Sequence, residues 1–249
     1  MGSNIDLDRF YVGEASNTKS RLTKLKYKHI RPSKSVVVLG GGPSTSSDKD
    51  LINEYISRND SVVISTNYSY SFISKIDYVY FGDPGKFRSN FKTVTGGIFV
   101  SVGIVDRYTQ ELWSRTEKKH ECYEVFLRGY SHGNAIKKWT INRNGTFPSS
   151  KYGPSGLAIM CISLLFRPEE ILVSGLDGPI VNRRFRLLKK KTFNGKTKIY
   201  GNLKKYKTKK RFLEVKVIRL LQENFVKIKC VPSSRFWNIS KKKYGIETI

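Results

Sequence analysis

Glycine, proline and hydroxyl residues follow one another directly after a short β-branched run. The stretch "VVVLGGGPSTSS" spans residues 36–47. Glycines let the backbone turn sharply and approach a ligand closely. The N–H groups at the start of a following helix, together with its positive dipole end and nearby hydroxyls, offer donors to an anion. The stretch therefore predicts a loop that binds the phosphate of a nucleotide.

Two common nucleotide motifs do not fit this loop. It is not a GxxxxGK[ST] sequence, which disfavours a P-loop kinase. It also lacks the GxGxxG spacing, and the second strand ends at Asn67 rather than at an acidic residue that would bind a ribose. A dinucleotide cofactor such as NAD is therefore disfavoured as well.

The elements that must position this loop alternate between strand and helix. Helices are predicted after Ser46, over 155–166 and over about 209–224. The predicted strands begin at residue 35 and then span 61–66, 77–82, 97–103, 122–127, 170–178 and 226–232. This alternation predicts the α/β class, with one Rossmann-like domain over 35–249. The sheet is expected to be mostly parallel and flanked by helices, and residues 1–34 form a basic arm before it.

Hydrophobic spacing predicts which helix faces are buried. Ser46 or Ser47 is expected to cap the first helix, whose core side carries Leu51, Ile52, Tyr55 and Ile56. The apolar helix over 155–166 is expected to be buried and to end at Pro168. The last helix is expected to bury Phe212, Val215, Leu220 and Phe225.

The charge of the chain predicts a polyanionic partner. Forty-six Lys and Arg against 20 Asp and Glu give a net charge of +26, and such a field attracts nucleic acid or an anionic surface. Residues 182–211 carry 14 Lys or Arg and no Asp or Glu. A solvated charge run is the simpler interpretation, but the segment follows a predicted strand, where α/β sheets bind ligands. It is therefore interpreted as a basic lid or insertion that contacts nucleic acid through Arg183, Arg184, Arg186, Lys189, Lys190, Lys191, Lys204 and Lys205.

The cysteines and apolar runs bear on the compartment. Cys122, Cys161 and Cys230 form no CxxC pair, which predicts reduced thiols in a cytoplasmic protein and no metal site. No signal peptide is apparent at the start of the chain. The longest apolar run, 156–166, is too short to span a bilayer. A soluble protein without a transmembrane segment is expected.

Several short motifs together resemble a known family. In chain order they are "VVVLGGGPS", "ISTNYSY", "YFGDP", "KYGPSGLAIMCISLLF", "EILVSGLDG" and "CVPSSRFWNI". Their order and spacing are similar to those of the bacterial sialyltransferases that cap lipooligosaccharides, and of related pterin-pyrophosphokinase-like proteins with a Rossmann-type core. The resemblance covers 35–178 and 226–239 in pieces.

The resemblance implies a glycosyltransferase that uses a nucleotide-sugar donor, either a UDP-sugar or a CMP-sugar. It implies no essential metal and no cofactor besides the donor. Carried over position by position, the residues that would bind the donor are Gly41, Gly42, Pro43, Ser44, Asn67, Ser155 and Gly156.

The chain also departs from the family pattern. The family places a histidine, its general base, between the two last core strands, whereas every histidine of this chain precedes residue 133. A tyrosine expected soon after Asp177 is replaced by Pro179 and Ile180. The family's Asn-Pro pair after the third strand is Asp83-Pro84 here. These departures predict a changed acceptor chemistry.

Glycosyl transfer needs a base for the acceptor hydroxyl and positive charge or donors for the departing phosphate. Asp83 and Asp177 are the carboxylates predicted at strand ends, and Asp83 ranks first as the base. Each precedes a turn residue, so a turn-forming role is the alternative for both. Tyr200, Tyr206 or a cation of the basic segment would meet the phosphate.

Joining the donor loop to the charge gives the leading functional prediction. It is transfer of a sugar to hydroxymethylated cytosine in DNA, a modification with which bacteriophages evade restriction enzymes. The alternatives are transfer to a surface glycan, as in the resembled family, and a non-catalytic nucleic-acid-binding module. A pterin pyrophosphokinase would need an acidic metal-binding cluster, which the sequence does not contain.

Overall fold

The structure is a computed structural model, and it describes residues 12–13, 30–101, 122–125, 127–128, 147–148, 155–177, 214–215, 217–236 and 239–249. The strands are β1 Val12–Gly13, β2 Ser35–Leu39, β3 Val62–Thr66, β4 Tyr78–Phe81, β5 Gly97–Ser101, β6 Cys122–Val125, β7 Leu127–Arg128, β8 Phe147–Pro148, β9 Glu170–Ser174, β10 Lys227–Cys230 and β11 Glu247–Thr248. The α-helices are α1 Ser44–Ser47, α2 Lys49–Asn59, α3 Pro84–Asn90, α4 Ser155–Ser163 and α5, the described helical residues 214–215 and 217–223. Single 3-10 turns occur at Phe91–Thr93, Leu164–Phe166 and Lys242–Tyr244.

The described strands form one large sheet and one small one. The large sheet has nine strands in the order β1-β6-β5-β4-β3-β2-β9-β10-β11. Every pairing in it is parallel except that of β1 with β6. The small sheet pairs β7 with β8. The predicted α/β class with a mostly parallel, Rossmann-like sheet is confirmed.

Helices cover both faces of the large sheet, because successive strand residues point to opposite sides. In β2, Val36 and Val38 belong to the core that α4 and α5 cover. Val37 and Leu39 belong to the core under α2. On that same face, Phe87 of α3 packs over β4 and β5. Burial on both faces explains why β2 is an uninterrupted run of apolar residues rather than an alternating one.

The helix after the glycine loop begins earlier than the sequence predicted. Ser46 and Ser47 lie inside α1, so the prediction that one of them caps the helix is wrong. The reason is that α1 is a separate turn that follows Pro43, and α2 begins anew after Asp48. The predicted core face of α2 is right for three residues and wrong for Leu51, which is 40% exposed.

The other two predicted helices are confirmed in position. In α4 all residues except Ser155 and Ala158 are buried, which agrees with its apolar sequence. Its helical run ends with Arg167 in the left-handed region, directly before Pro168. In α5 Leu220 is buried as predicted, but Phe225 lies after the helix with φ 60° and is 82% exposed, so its predicted burial is wrong. Phe212 lies outside the described residues.

Two parts of the predicted N-terminal arm pair or pack with the α/β domain. Val12 and Gly13 pair with β6 at the sheet edge, and Ile30 is buried. None of the described helices is long and apolar enough to cross a membrane.

Candidate functional site

The strand order reverses beside β2, and the glycine loop lies at that point. From β2 the chain builds the sheet outward through β3, β4, β5 and β6, and later returns to place β9 on the other side of β2. Open α/β sheets bind ligands outside the carboxyl ends of the strands at such a reversal. The loops that leave β2 and β9 there are 40–43 and 175–177, both singled out from the sequence.

These two loops pack directly against each other. The N–H of Gly42 donates to Gly175 O at 2.9 Å. A Cβ at Gly40 would lie 2.4 Å from Gly175 O, and one at Gly42 would lie 2.5 Å from Asp177 Oδ2, whereas a Cβ at Gly41 would meet nothing within 4 Å. Gly40 and Gly42 are therefore required by packing between the loops. Only Gly41 borders open space, as a position next to a ligand should.

Asp177 occupies the start of α1. Its Oδ2 accepts from the N–H of Ser44 at 2.8 Å, and its Oδ1 accepts from the N–H of Arg235 at 3.3 Å. The side chain is 3% exposed. The Asp177 carboxylate therefore already occupies the N-terminus of α1, the position where the sequence predicts a bound phosphate. Asp177 joins three chain segments, and the turn-forming alternative agrees with its geometry better than the catalytic role does.

Ser44 is engaged within the protein through both its N–H and its hydroxyl oxygen. Besides the N–H bonded to Asp177, its Oγ accepts from the N–H of Gly175 at 2.8 Å, and the residue is 2% exposed. Ser44 therefore shapes the loop. The part of the loop that remains open to a donor narrows to the exposed Gly41 and Pro43, whereas Gly42 is half-buried against Asp177.

Asn67 follows β3 and has an unusual environment. Its φ is 62°, in the left-handed region that asparagine tolerates better than most residues. Its N–H donates to Tyr80 O at 2.8 Å, and its carbonyl oxygen accepts from Asn90 Nδ2 at 3.0 Å. Its side-chain Oδ1 is buried and accepts no hydrogen bond from any described residue. Buried polar atoms are almost always paired, so this acceptor points to a missing donor.

Asp83 follows β4 and caps α3. Its Oδ1 accepts from the N–H of Lys86 at 3.0 Å, with Pro84 at the first helical position. Unlike Asp177, Asp83 is exposed. It keeps a carboxylate oxygen for which no partner occurs among the described residues. Of the two predicted bases, only Asp83 is accessible to an acceptor.

Ser155 and Gly156 begin α4 close to the end of β4. The Oγ of Ser155 lies 3.2 Å from the position of a Cβ on Gly82. A Cβ on Gly156 would lie 2.0 Å from the Leu176 side chain, so glycine here allows α4 to approach the loop after β9. Ser155 is half-buried and Gly156 is buried. The pair lies at the edge predicted for it.

The remaining predicted site residues lie outside the described residues. This applies to the following residues of the basic segment: Arg183, Arg184, Arg186, Lys189, Lys190, Lys191, Tyr200, Lys204, Lys205 and Tyr206. Their assigned contacts stay predictions. The described chain ends at Asp177 before this segment, beside the glycine loop.

Three residues at this edge escaped the sequence analysis. Tyr70 donates its hydroxyl to Gly40 O at 2.9 Å, and burial, followed by the neighbouring Tyr68, raises the pKa of Tyr70. The phenol of Tyr70 is thus kept as a neutral donor. Lys86 donates through Nζ to the hydroxyl of Tyr68 at 2.6 Å. The alternation of aromatic and serine residues in "NYSYSF", directly after a strand, is the signal that would have found the tyrosines.

Metal and thiol chemistry have no described basis at this edge. Among the residues that the structure describes, no group of three or more His, Cys, Asp or Glu is arranged to hold a metal ion. Cys161 and Cys230 are buried free thiols. Burial raises the pKa of Cys161 to about 12, so it stays protonated.

A cavity of about 640 Å³ lies at the opposite edge of the sheet. Its lining includes the starts of β3, β4 and β5 at Val62, Tyr78 and Gly97. Its Lys75 ammonium lies 3.5 Å from Asp77 Oδ2 and is thus already paired. The cavity contains none of the predicted site residues, and the chemistry-bearing groups gather at the carboxyl ends instead.

No protein-family model matches the chain, and no curated protein matches it in sequence. The fold defines an α/β domain of Rossmann-like type whose glycine loop lies at the reversal of strand order. The resemblance to sialyltransferases stays a prediction from the motifs.

Proposed function

We propose that this protein is a glycosyltransferase that takes a sugar from a UDP-sugar or CMP-sugar and transfers it to a hydroxyl of a polyanionic acceptor. The acceptor we favour is hydroxymethylated cytosine in DNA. Four groups support a donor site: the open Gly41, the unpaired Asn67, the exposed Asp83 and the start of α4 at Ser155. The first three follow the neighbouring parallel strands β2, β3 and β4, and Ser155 lies close to Gly82 at the end of β4.

The single observation that carries the donor site is the buried, unpaired Oδ1 of Asn67. Leaving such an acceptor without a donor costs about 1–3 kcal/mol. A ribose hydroxyl is a donor of suitable size, and it would also orient the nucleotide toward Gly41 on one side and Ser155 on the other. The left-handed backbone of Asn67 agrees with this role, since strained residues cluster at ligand sites.

The chemistry then follows from the position of Asp83. Its carboxylate takes the proton of the acceptor hydroxyl while the oxygen attacks the anomeric carbon of the donor. The bond between that carbon and the phosphate oxygen breaks, and the nucleotide leaves with the electron pair. The N–H groups at the start of α4 and the Ser155 hydroxyl are the donors we assign to the leaving phosphate.

The acceptor is assigned from charge. Residues 182–211 hold 14 cations and no carboxylate, and they begin five residues after Asp177. Asp177, the last described residue before this segment, is bonded to Ser44 after the glycine loop. A polyanion bound by this segment would be delivered to Asp83. A target cytosine in duplex DNA would have to leave the stack, which costs a few kcal/mol.

The decisive experiment measures sugar transfer by mass. The full chain is incubated with hydroxymethylcytosine DNA and a panel of UDP- and CMP-sugars, and the DNA is digested to nucleosides that are weighed. We expect a mass gain of one hexose-sized or sialic-acid-sized unit on hydroxymethylcytosine alone. The same DNA with unmodified cytosine is the control. No gain with any donor would reject the DNA assignment.

The role of Asp83 is tested by Asp83→Asn. We expect a loss of turnover of at least 100-fold, on the order of what a general base contributes, with donor binding retained. Asp50→Asn, an exposed carboxylate of α2, is the matched control and should keep full activity. Turnover of Asp83→Asn at the wild-type rate would remove Asp83 from the mechanism.

A surface glycan is the second candidate acceptor, favoured by the motif resemblance to lipooligosaccharide sialyltransferases. The same donor panel with lipooligosaccharide in place of DNA distinguishes the two. Transfer to the glycan alone would keep the donor site and replace the acceptor. Transfer to neither, with DNA bound, would favour a non-catalytic binding module.

A further inference from the structure

Two half-exposed aromatic rings and an ammonium lie together beside the donor site, and the transfer chemistry above uses none of them. Tyr68 is 37% exposed and Phe72 is 36% exposed. Tyr70 packs between them, with ring centres 6.3 Å from Tyr68 and 5.4 Å from Phe72. Exposed aromatic residues that are grouped in this way mark an interaction surface more often than scattered single ones do.

The backbone under these rings is fixed at several points. Ser65 Oγ donates to Tyr68 O at 2.6 Å. Asn53 Nδ2 donates to Phe72 O at 3.0 Å, and Asn53 Oδ1 accepts from the N–H of Ser74 at 2.8 Å. With Tyr70 bonded to the glycine loop, the rings are presented by a pre-formed surface, which lowers the entropy lost on binding.

The ammonium of Lys86 adds a cation to this surface. Its Nζ lies 2.6 Å from the Tyr68 hydroxyl and 5.0 Å from the ring centre. It therefore sits at the hydroxyl end of the ring and does not cover a face. No carboxylate among the described residues pairs with it, and an ammonium has two further donors after bonding to one phenol.

We propose that Tyr68, Phe72 and Lys86 bind a single-stranded or locally unstacked polynucleotide, with bases stacked on the two rings and a phosphate paired with Lys86. Single-strand-binding proteins combine the same two elements, cations for the backbone and aromatic faces for the bases. A net charge of +26 favours this polyanion over a neutral glycan, which aromatic rings can also bind. The inference rests on the proposed function, since it assigns the surface that holds the acceptor strand next to the donor loop.

The test compares two labelled oligomers of equal length on the full chain by fluorescence anisotropy. One is a ten-nucleotide oligothymidylate, and the other has the same phosphates and deoxyriboses but no bases. We expect wild-type protein to bind the oligothymidylate more tightly. Tyr68→Ala and Phe72→Ala should each weaken it about fivefold or more and leave the abasic oligomer unchanged. Tyr68→Phe, which keeps the ring, should retain the preference for bases.

Lys86→Gln should weaken both oligomers equally and lower the salt slope by about 0.7, the value for one phosphate contact on a single strand. Phe225→Ala and Lys227→Gln are the matched controls, because both residues are exposed and lie at or before the start of β10, at the other edge of the sheet. Neither control should change binding of either oligomer.

Three results would overturn the proposal. One is equal binding of the two oligomers by the wild-type protein. Another is unchanged oligothymidylate binding in Tyr68→Ala and Phe72→Ala. The third is displacement of the oligomer by CMP or UDP, with nucleotide affinity lost in the same variants, which would assign the rings to the donor base. Sugar transfer is measured separately, so transfer without dependence on these rings would reject this surface alone, and base-dependent binding without transfer would reject the transferase alone.

Discussion

Replacing Asn67 with glycine should stabilise the empty protein and weaken nucleotide binding at the same time. Asn67 has φ 62° and a buried Oδ1 that accepts no hydrogen bond within the described part of the chain. Both features burden the empty fold, and glycine removes both. The backbone N–H of residue 67 donates to Tyr80 O, and its backbone carbonyl oxygen accepts from Asn90 Nδ2. These two hydrogen bonds involve no side-chain atom of residue 67, so they survive the change to glycine.

The expected change in the free energy of unfolding is a sum of three effects. Removing an unpaired buried acceptor contributes about 1–3 kcal/mol. Relief of the left-handed backbone adds a smaller gain, which is largely offset by the about 0.4–1 kcal/mol that glycine costs through the flexibility of the unfolded chain. The net expectation is a gain of about 1–3 kcal/mol, or a rise in Tm of about 2–12 °C for a chain of this size.

Binding should change in the opposite direction. If the Asn67 amide accepts a hydrogen bond from the ribose, its loss removes about 0.5–1.5 kcal/mol, which corresponds to a roughly 2- to 12-fold weaker Kd. Thermal unfolding measures the change in stability, and calorimetric titration with CMP and UDP measures the change in Kd. Opposite signs in the two measurements distinguish a ligand-binding residue from a merely structural one.

Phe225→Gly is the matched control, because Phe225 is exposed and has φ 60°. Glycine there relieves a similar left-handed backbone conformation at a position away from the glycine loop. It should leave nucleotide affinity unchanged. A fall in the Tm of Asn67→Gly together with wild-type nucleotide affinity would refute the reasoning, since it would show that the amide serves the fold and not a ligand.

Three further predictions concern the supports of the site. Gly40→Ala should destabilise the protein by about 1–3 kcal/mol, because its Cβ would lie 2.4 Å from a backbone oxygen of the loop after β9. Gly41→Ala should stay within about 0.5 kcal/mol of wild type. Equal urea midpoints for the two variants would contradict this prediction. Asp177→Ala should lower the free energy of unfolding by about 1–3 kcal/mol, because it leaves buried N–H donors without an acceptor, and an unchanged midpoint would argue against it. Burial opposes the ionisation of Glu170, but hydrogen bonds from Lys229 and a tyrosine hold its pKa below the ordinary 4.5. Because the pKa is lowered in the fold, the stability that Glu170 contributes is present above pH 4.5 and is lost as the pH falls below it. Wild type should therefore lose more stability than Glu170→Gln between about pH 7 and pH 4, as measured by urea titrations. Parallel losses in the two proteins would exclude this account.

The sheet was predictable because its strands are buried on both faces. A run such as that of β2 has few alternatives to a central parallel strand, and the carboxyl ends of such strands had to carry the loops. The helix boundaries after the glycine loop were not predictable in the same way. Four consecutive hydroxyl residues offered several caps, and the decisive contact is Asp177, which lies 133 residues away from Ser44.

The position of the glycine loop and of the ends of β3 and β4 at one edge of the sheet could be predicted, and the roles of their residues stay predictions. Gly41, Asn67 and Asp83 lie at one edge because they follow β2, β3 and β4. Ser155 begins α4 at the same edge. The sequence could not show which N–H and hydroxyl groups of these loops are already hydrogen-bonded within the protein. The glycines at 40 and 42 resemble ligand-contacting residues in any sequence, yet their missing side chains are explained by the loop after β9.

The distribution of charge separates what the fold needs from what a partner needs. The described residues hold 17 of the 46 Lys and Arg but 13 of the 20 Asp and Glu, a net charge of only +4. Packing and pairing within the sheet and its helices therefore operate near neutrality, and several of these cations are already bound to carboxylates, as Lys229 is to Glu170 at 2.7 Å. The excess lies in the other segments, above all in 182–211. Since a run of like charges repels itself and the described core is nearly neutral without it, we propose that the basic segment serves to bind a polyanion.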